Sequence, residues 1–189
     1  PTGEAAPSPV DAAQAEQHAE LKLMADKARA LTRSLRFADA AQVWQRAARL
    51  APGDLTVLRA WFDCARHAPS SDSFHAAARQ IFKLSTRHAA HRQLQVESYR
   101  VYLERAKPGI RISPGTLQQL VRSFVLEGEF NDAEQLARVL ARSTALPEGW
   151  LDTMDLLINS LLKAGRAQQA QAWLPVLEQI GRASCRERV

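Results

Sequence analysis

The chain has 189 residues, 46% of them hydrophobic, 24% charged and 6% aromatic, with a formal net charge of +5. That length holds one domain with a sizeable core, and the composition is that of a globular protein rather than a fibrous one. No run of 18 apolar residues occurs, so no membrane-spanning helix is expected within these residues, and no charged-then-apolar signal segment opens them.

In chain order, residues 1–10 hold three prolines, a glycine and a serine, and predict a disordered linker. From Asp11 to Ser34 the sequence is rich in Ala, Gln and Glu without a breaker, predicting one long helix. Met24, Ala28 and Leu31 share one face of it. Phe37, Ala40, Trp44, Ala47 and Leu50 share one face of a second helix, which Pro52-Gly53-Asp54 ends. Small residues stand where the two helices must touch, and large ones flank them. Asp54 then reads as the N-cap of a helix from Leu55 to about His67.

Pro69-Ser70-Ser71 predicts a turn, with Asp72 or Ser73 capping a helix through Ile81, Phe82 and Leu84. A helix from about Ala89 to Ala106 follows, with Leu94, Tyr99, Tyr102 and Leu103 as its apolar stripe, and Lys107-Pro108-Gly109 stops it. Ser113-Pro114 is a helix start, Ser as N-cap and Pro in the first turn. Leu117, Leu120, Val121 and Phe124 continue at helical spacing to Gly128. Ala133, Leu136, Ala137 and Leu140 follow on the next helix, and the pattern recurs from Trp150 to Gly165 and from Ala167 to Leu177. Gly128 and Gly165 each end a first helix, where positive φ closes the turn. Pro175 should kink or shorten the last helix. The sum is about nine helices and no strand: an all-α chain, with a helical-repeat domain over residues 11–179.

The last ten residues, Ile180 to Val189, break this pattern. Back-translated, IGRASCRERV fits one reading frame of a common short-read sequencing-library adapter, so 180–189 is read as a non-native tail to be set apart from the fold. The chain opens on Pro1 rather than Met, and is read as a fragment at both ends. Three arginines and one glutamate of the tail carry +2 of the +5, leaving +3, too mild to imply nucleic acid on charge alone. Cys185 leaves with the tail, and Cys64, beside Ala60, Trp61 and Phe62, reads as a small buried hydrophobe rather than a reactive thiol.

The segment Leu21–Asp54, through Ala28, Phe37, Ala40, Trp44, Ala47, Leu50 and Pro52, resembles one unit of the tetratricopeptide-repeat (TPR) superfamily. Residues 114–147, through Gly128, Phe130 and Ala133, resemble a second unit, and residues 151–179, through Gly165 and Ala170, a third. Lys27 stands where the family usually has Leu, Leu35 replaces the turn glycine, and Gly128 and Gly165 are 37 residues apart rather than 34. The resemblance implies a TPR-like right-handed α-solenoid of about nine helices whose concave groove takes a peptide or protein segment. Carried over by position, the groove residues are Arg29, Arg33, Arg59, Asp63, Arg66, Gln118, Arg122, Asn159 and Lys163. Such a mildly basic groove favours an acidic segment. Ala25 and Arg29 stand where the chaperone-binding members place the first Lys and Asn of a carboxylate clamp, so that partner class is disfavoured.

Ser73-Phe74-His75-Ala76-Ala77, Ser113-Pro114 and the run Gly128 to Glu134 are also similar to the soluble helical tail of some bacterial rhomboid-family intramembrane proteases. That likeness implies a cytoplasmic regulatory or structural appendage of a membrane protein; none of that family's membrane helices or catalytic motifs is present, and no activity is carried over.

Catalysis is not expected. His88 and His91 could face one metal, but no Cys, Asp or Glu joins them at ligand spacing. No glycine-rich phosphate loop and no Gly-x-Ser-x-Gly elbow occurs. The expectation is a cytoplasmic protein-interaction scaffold with no cofactor, metal or catalytic site. RNA reading by the repeats is the remaining alternative; it lacks repeated polar specificity residues and aromatic stacking platforms.

Overall fold

The computed structural model describes residues 9–105, 112–143 and 145–178, all of them helix, turn or loop. Nine α-helices stand among the described residues: α1 (Pro9–Arg33), α2 (Phe37–Leu50), α3 (Leu55–His67), α4 (Ser71–Phe82), α5 (Ala89–Arg105), α6 (Pro114–Leu126), α7 (Phe130–Ala141), α8 (Trp150–Lys163) and α9 (Ala167–Gln171). The expected tail 180–189, the stop Lys107-Pro108-Gly109 and residues 1–8 of the expected linker lie outside the described residues. The linker expectation is corrected at its end, because Pro9 and Val10 already belong to α1. A proline's missing N–H costs nothing in a helix's first turn, where that donor has no intrahelical partner.

Three of the turns between helices are the same turn. Leu35, Gly128 and Gly165 follow α1, α6 and α8 with φ of +59°, +79° and +73°. The next residue's N–H, in Arg36, Glu129 and Arg166, donates five residues back to the carbonyls of Leu31, Phe124 and Leu161 at 2.9, 2.8 and 2.8 Å. The N–H of each left-handed residue donates to Thr32, Val125 and Leu162 at 3.0, 3.1 and 3.0 Å. This pair of bonds is the Schellman motif, which satisfies carbonyls that a helix end would otherwise leave open. The carbonyls of Arg36, Glu129 and Arg166 then accept the first bond of the next helix from Ala40, Ala133 and Ala170 at 3.0, 3.1 and 3.1 Å. All three alanines are buried. Leu35 therefore does in its turn what Gly128 and Gly165 do in theirs, with its side chain 74% exposed.

The chain forms two compact units with their boundary between Ile81 and Phe82. In the first, α2 packs on both α1 and α3. Ala28, Ala40 and Ala47 are fully buried, with Trp44 beside them; small side chains let the helix axes approach while Trp44 supplies the buried area. Asp54 caps α3 as expected, accepting from the N–H of Thr56 at 2.8 Å and of Val57 at 3.1 Å. The expected cap of α4 is corrected: the helix begins at Ser71, and Ser70 Oγ accepts from the Asp72 N–H at 3.3 Å. α4 ends at Phe82, so Leu84, expected inside it, is buried beyond its end. Trp61 Nε1 donates to Ser73 Oγ at 3.0 Å, and the Phe62 and Phe74 rings meet at 4.9 Å, so α3 and α4 share an aromatic seam.

In the second unit α6 is central, packing on α5, α7 and α8. Ser113 caps it, accepting from the Thr116 N–H at 3.3 Å, and Pro114 opens its first turn. Phe82, Tyr99, Tyr102 and Phe124 form an edge-to-face cluster with ring centroids 5.5 to 5.8 Å apart. Burial in this cluster pushes the Tyr99 hydroxyl up to about 12. The apolar stripe expected on α5 is corrected at Leu103, which is 56% exposed, while Gln95 and Ser98 are buried instead. Gln95 Nε2 donates to the carbonyls of Phe82 at 3.2 Å and Leu84 at 2.9 Å, and its Oε1 accepts from Ser123 Oγ. A polar residue can replace an apolar one here because every polar atom is satisfied. Past α9 the chain turns at Ala172 and Trp173, and residues 174–178 are helical again. Pro175 explains the break: it offers no N–H to the carbonyl four residues back, and its ring crowds that turn.

Candidate functional site

Two open depressions, one in each unit, collect five of the nine sequence-predicted residues. In the first unit a groove of about 550 Å³ runs along α1 and α3, with Trp44 of α2 and Cys64 of α3 among its walls. Arg29, Arg33 and Asp63 line it. Arg29 is paired with Asp26 at 3.2 Å, an exposed contact of one helical turn that contributes little. Asp63 stands 3.9 Å from Arg66. Arg33 donates through Nε to the Arg29 carbonyl at 3.4 Å and forms no ion pair among the described residues. Arg59 and Arg66, expected in the same groove, do not line it. The groove is thus a largely apolar trough with arginines on its α1 wall and one carboxylate on its α3 wall.

Cys64 is buried and free. Its Sγ lies 3.3 Å from Thr32 Oγ1, which bridges α1 to α3. Burial pushes the thiol up and the Thr32 contact opposes it; a raised thiol is a poorer nucleophile at neutral pH. This accords with the reading of Cys64 as packing rather than chemistry.

In the second unit an open cavity of about 520 Å³ lies along the first half of α6, with walls from the loop before α5 and the loop before α8. Gln118 and Arg122 line it, and Asn159 and Lys163, both exposed on α8, do not. Gln118 Nε2 donates to the Glu148 carbonyl at 3.1 Å and to Thr153 Oγ1 at 3.0 Å, bracing α6 against α8. Arg122 adds a longer bond to the same hydroxyl at 3.4 Å. Lys83, Thr116 and Gln119 also line this cavity and escaped the sequence reading. Lys83 lies on a loop, which has no helical phase, and Thr116 and Gln119, though on α6, are not among the positions carried over from the resemblance.

Aligned on the repeated turn, three of the predicted residues fall at one equivalent position. Arg29 stands six residues before Leu35, Arg122 six before Gly128 and Asn159 six before Gly165. Two of these three equivalent positions carry arginine at a depression. His88 and His91 stack edge to face at 4.9 Å, and His91 Nδ1 lies 3.1 Å from the Ser85 carbonyl. No group of three His, Cys, Asp or Glu that could hold a metal occurs among the described residues. No described helix is long and apolar enough to cross a membrane.

No protein-family model matches the chain, and no curated protein or solved structure is significantly similar to it.

Proposed function

We propose that the chain is a TPR-like right-handed α-solenoid and acts as a protein–protein interaction scaffold, presenting a mildly basic groove to an acidic segment of a partner. The observation that carries this reading is the recurrence of one hairpin turn at Leu35, Gly128 and Gly165, with the same hydrogen bonds each time. Stacked hairpins bury their backs against one another and leave a row of first-helix side chains on the other face. Thr32 against Cys64 and Gln118 against Thr153 are contacts of one first helix with the next, as stacking requires. In the first unit the groove offers an apolar floor for an anchor side chain and Arg29 and Arg33 for a neighbouring carboxylate.

The test is selection from a random peptide library against the whole chain and, in parallel, against Arg29→Glu/Arg33→Glu. Both arginines are exposed, so the variant should melt as the parent does. Enrichment of peptides pairing an apolar residue with Asp or Glu, lost in the variant, is the expected result. Enrichment that ignores the variant, or none at all, contradicts the reading. Salt-dependent binding of arbitrary RNA would replace it with a nucleic-acid function.

A further inference from the structure

We propose that the open cavity of the second unit binds a phosphorylated, hydroxyl-bearing small molecule, with Lys83 and Arg122 holding the phosphate. In the second unit Arg92 pairs with Glu127 at 2.7 Å, Arg100 with Asp132 at 2.7 Å and Arg138 with Glu134 at 3.9 Å, while Arg87, Arg142 and Arg166 form no ion pair among the described residues and do not line the cavity. Lys83 and Arg122 form no ion pair among the described residues, and both line the same cavity. Two cations without ion pairs lining one space suit a phosphate monoester, which carries about −1.5 to −2 at neutral pH.

The volume, about 520 Å³, lies in the range of small-molecule sites and far exceeds what a bare phosphate fills. The rest of the lining is polar. Thr86, Thr116 and Gln119 bring hydroxyl and amide groups to the lining, and Glu148, on the loop before α8, brings an acceptor for ligand hydroxyls that repels a second anion. Gln118 is already committed to Glu148 and Thr153, so it stiffens the wall and leaves the recognition to its neighbours.

The experiment titrates the whole chain, labelled with nitrogen-15, with glucose 6-phosphate, inorganic phosphate and glucose. Glucose 6-phosphate should shift one saturable set of amides in residues 83–86 and 115–122, phosphate the same set more weakly, and glucose none. Lys83→Gln, at an exposed position outside any helix, should keep the melting curve and weaken binding several-fold. Lys83→Gln/Arg122→Gln should weaken it by about tenfold or more. Shifts scattered over the chain's other basic residues would mark unspecific anion binding and overturn the proposal. So would equal binding by glucose, the absence of a saturable response, or a double variant that binds as the parent does. Neither variant touches Arg29 or Arg33, so this proposal and peptide binding fail separately.

Discussion

The two units solve one packing problem with different materials. The first unit brings helices together with alanines, and its α1–α2 contact is a seam of Ala28, Ala40 and Ala47 around Trp44. The second unit uses polar staples: Gln95 to two carbonyls and Ser123, Arg92 to Glu127, Arg100 to Glu129 and Asp132, and Trp173 Nε1 to Glu134 at 2.9 Å. Apolar seams tolerate loss of detail but resist added volume, whereas satisfied polar networks fail when a single partner is removed. The two depressions differ in the same sense, the first largely apolar and the second polar.

The largest effect should come from Gln95→Leu. Its shape is nearly kept, but the carbonyls of Phe82 and Leu84 and the Ser123 hydroxyl lose their partner inside the core, a loss of about 3 kcal/mol in urea unfolding. A loss under half of that would mean that water reaches the site. Ala40→Phe should overpack the alanine seam and cost about 1–3 kcal/mol, and an unchanged melting curve would remove Ala40 from the helix–helix contact. Arg100→Ala breaks a network that is partly exposed and joined by a cation–π contact to Phe124 at 5.8 Å. Its cost should stay at about 1 kcal/mol or less and shrink further in 1 M salt. A salt-independent loss would locate its effect in packing instead.

The turns sharpen the comparison from the other side. Leu35 holds a conformation that disfavours a side chain, and its own is exposed. Leu35→Gly should therefore stabilise the chain by up to about 1 kcal/mol, while Gly128→Ala, at the equivalent position, should destabilise it by about 1 kcal/mol. Opposite signs at equivalent positions are what a shared turn requires. Equal signs would separate the two hairpins.

Local chemistry made much of the fold legible in the sequence. Asp54 and Ser113 mark their helix starts because a short acceptor side chain before an apolar run has one favourable use, and Gly128 and Gly165 mark ends because few residues accept positive φ. Leu35 gave no such signal: its role follows from its place between two well-patterned helices. The burial of Gln95 and Ser98 was equally silent, since apolar periodicity cannot register a polar residue whose partners lie on other elements. For the candidate sites, Arg29, Arg33, Asp63, Gln118 and Arg122 were reached by positions carried over from the family resemblance, which also gave Arg59, Arg66, Asn159 and Lys163, none of them lining either depression. Lys83 and Glu148 were not reached, because loops carry no phase.

Residue-resolved amide hydrogen exchange at Arg36, Glu129 and Arg166 tests the central claim, that one hairpin recurs along the chain. Each of these N–H groups donates five residues back across its turn, and all three should exchange far more slowly than an unstructured peptide while their exposed neighbours do not. If Arg36 exchanged freely while Glu129 and Arg166 were protected, the leucine turn would not be the glycine turn, and the repeat would be contradicted.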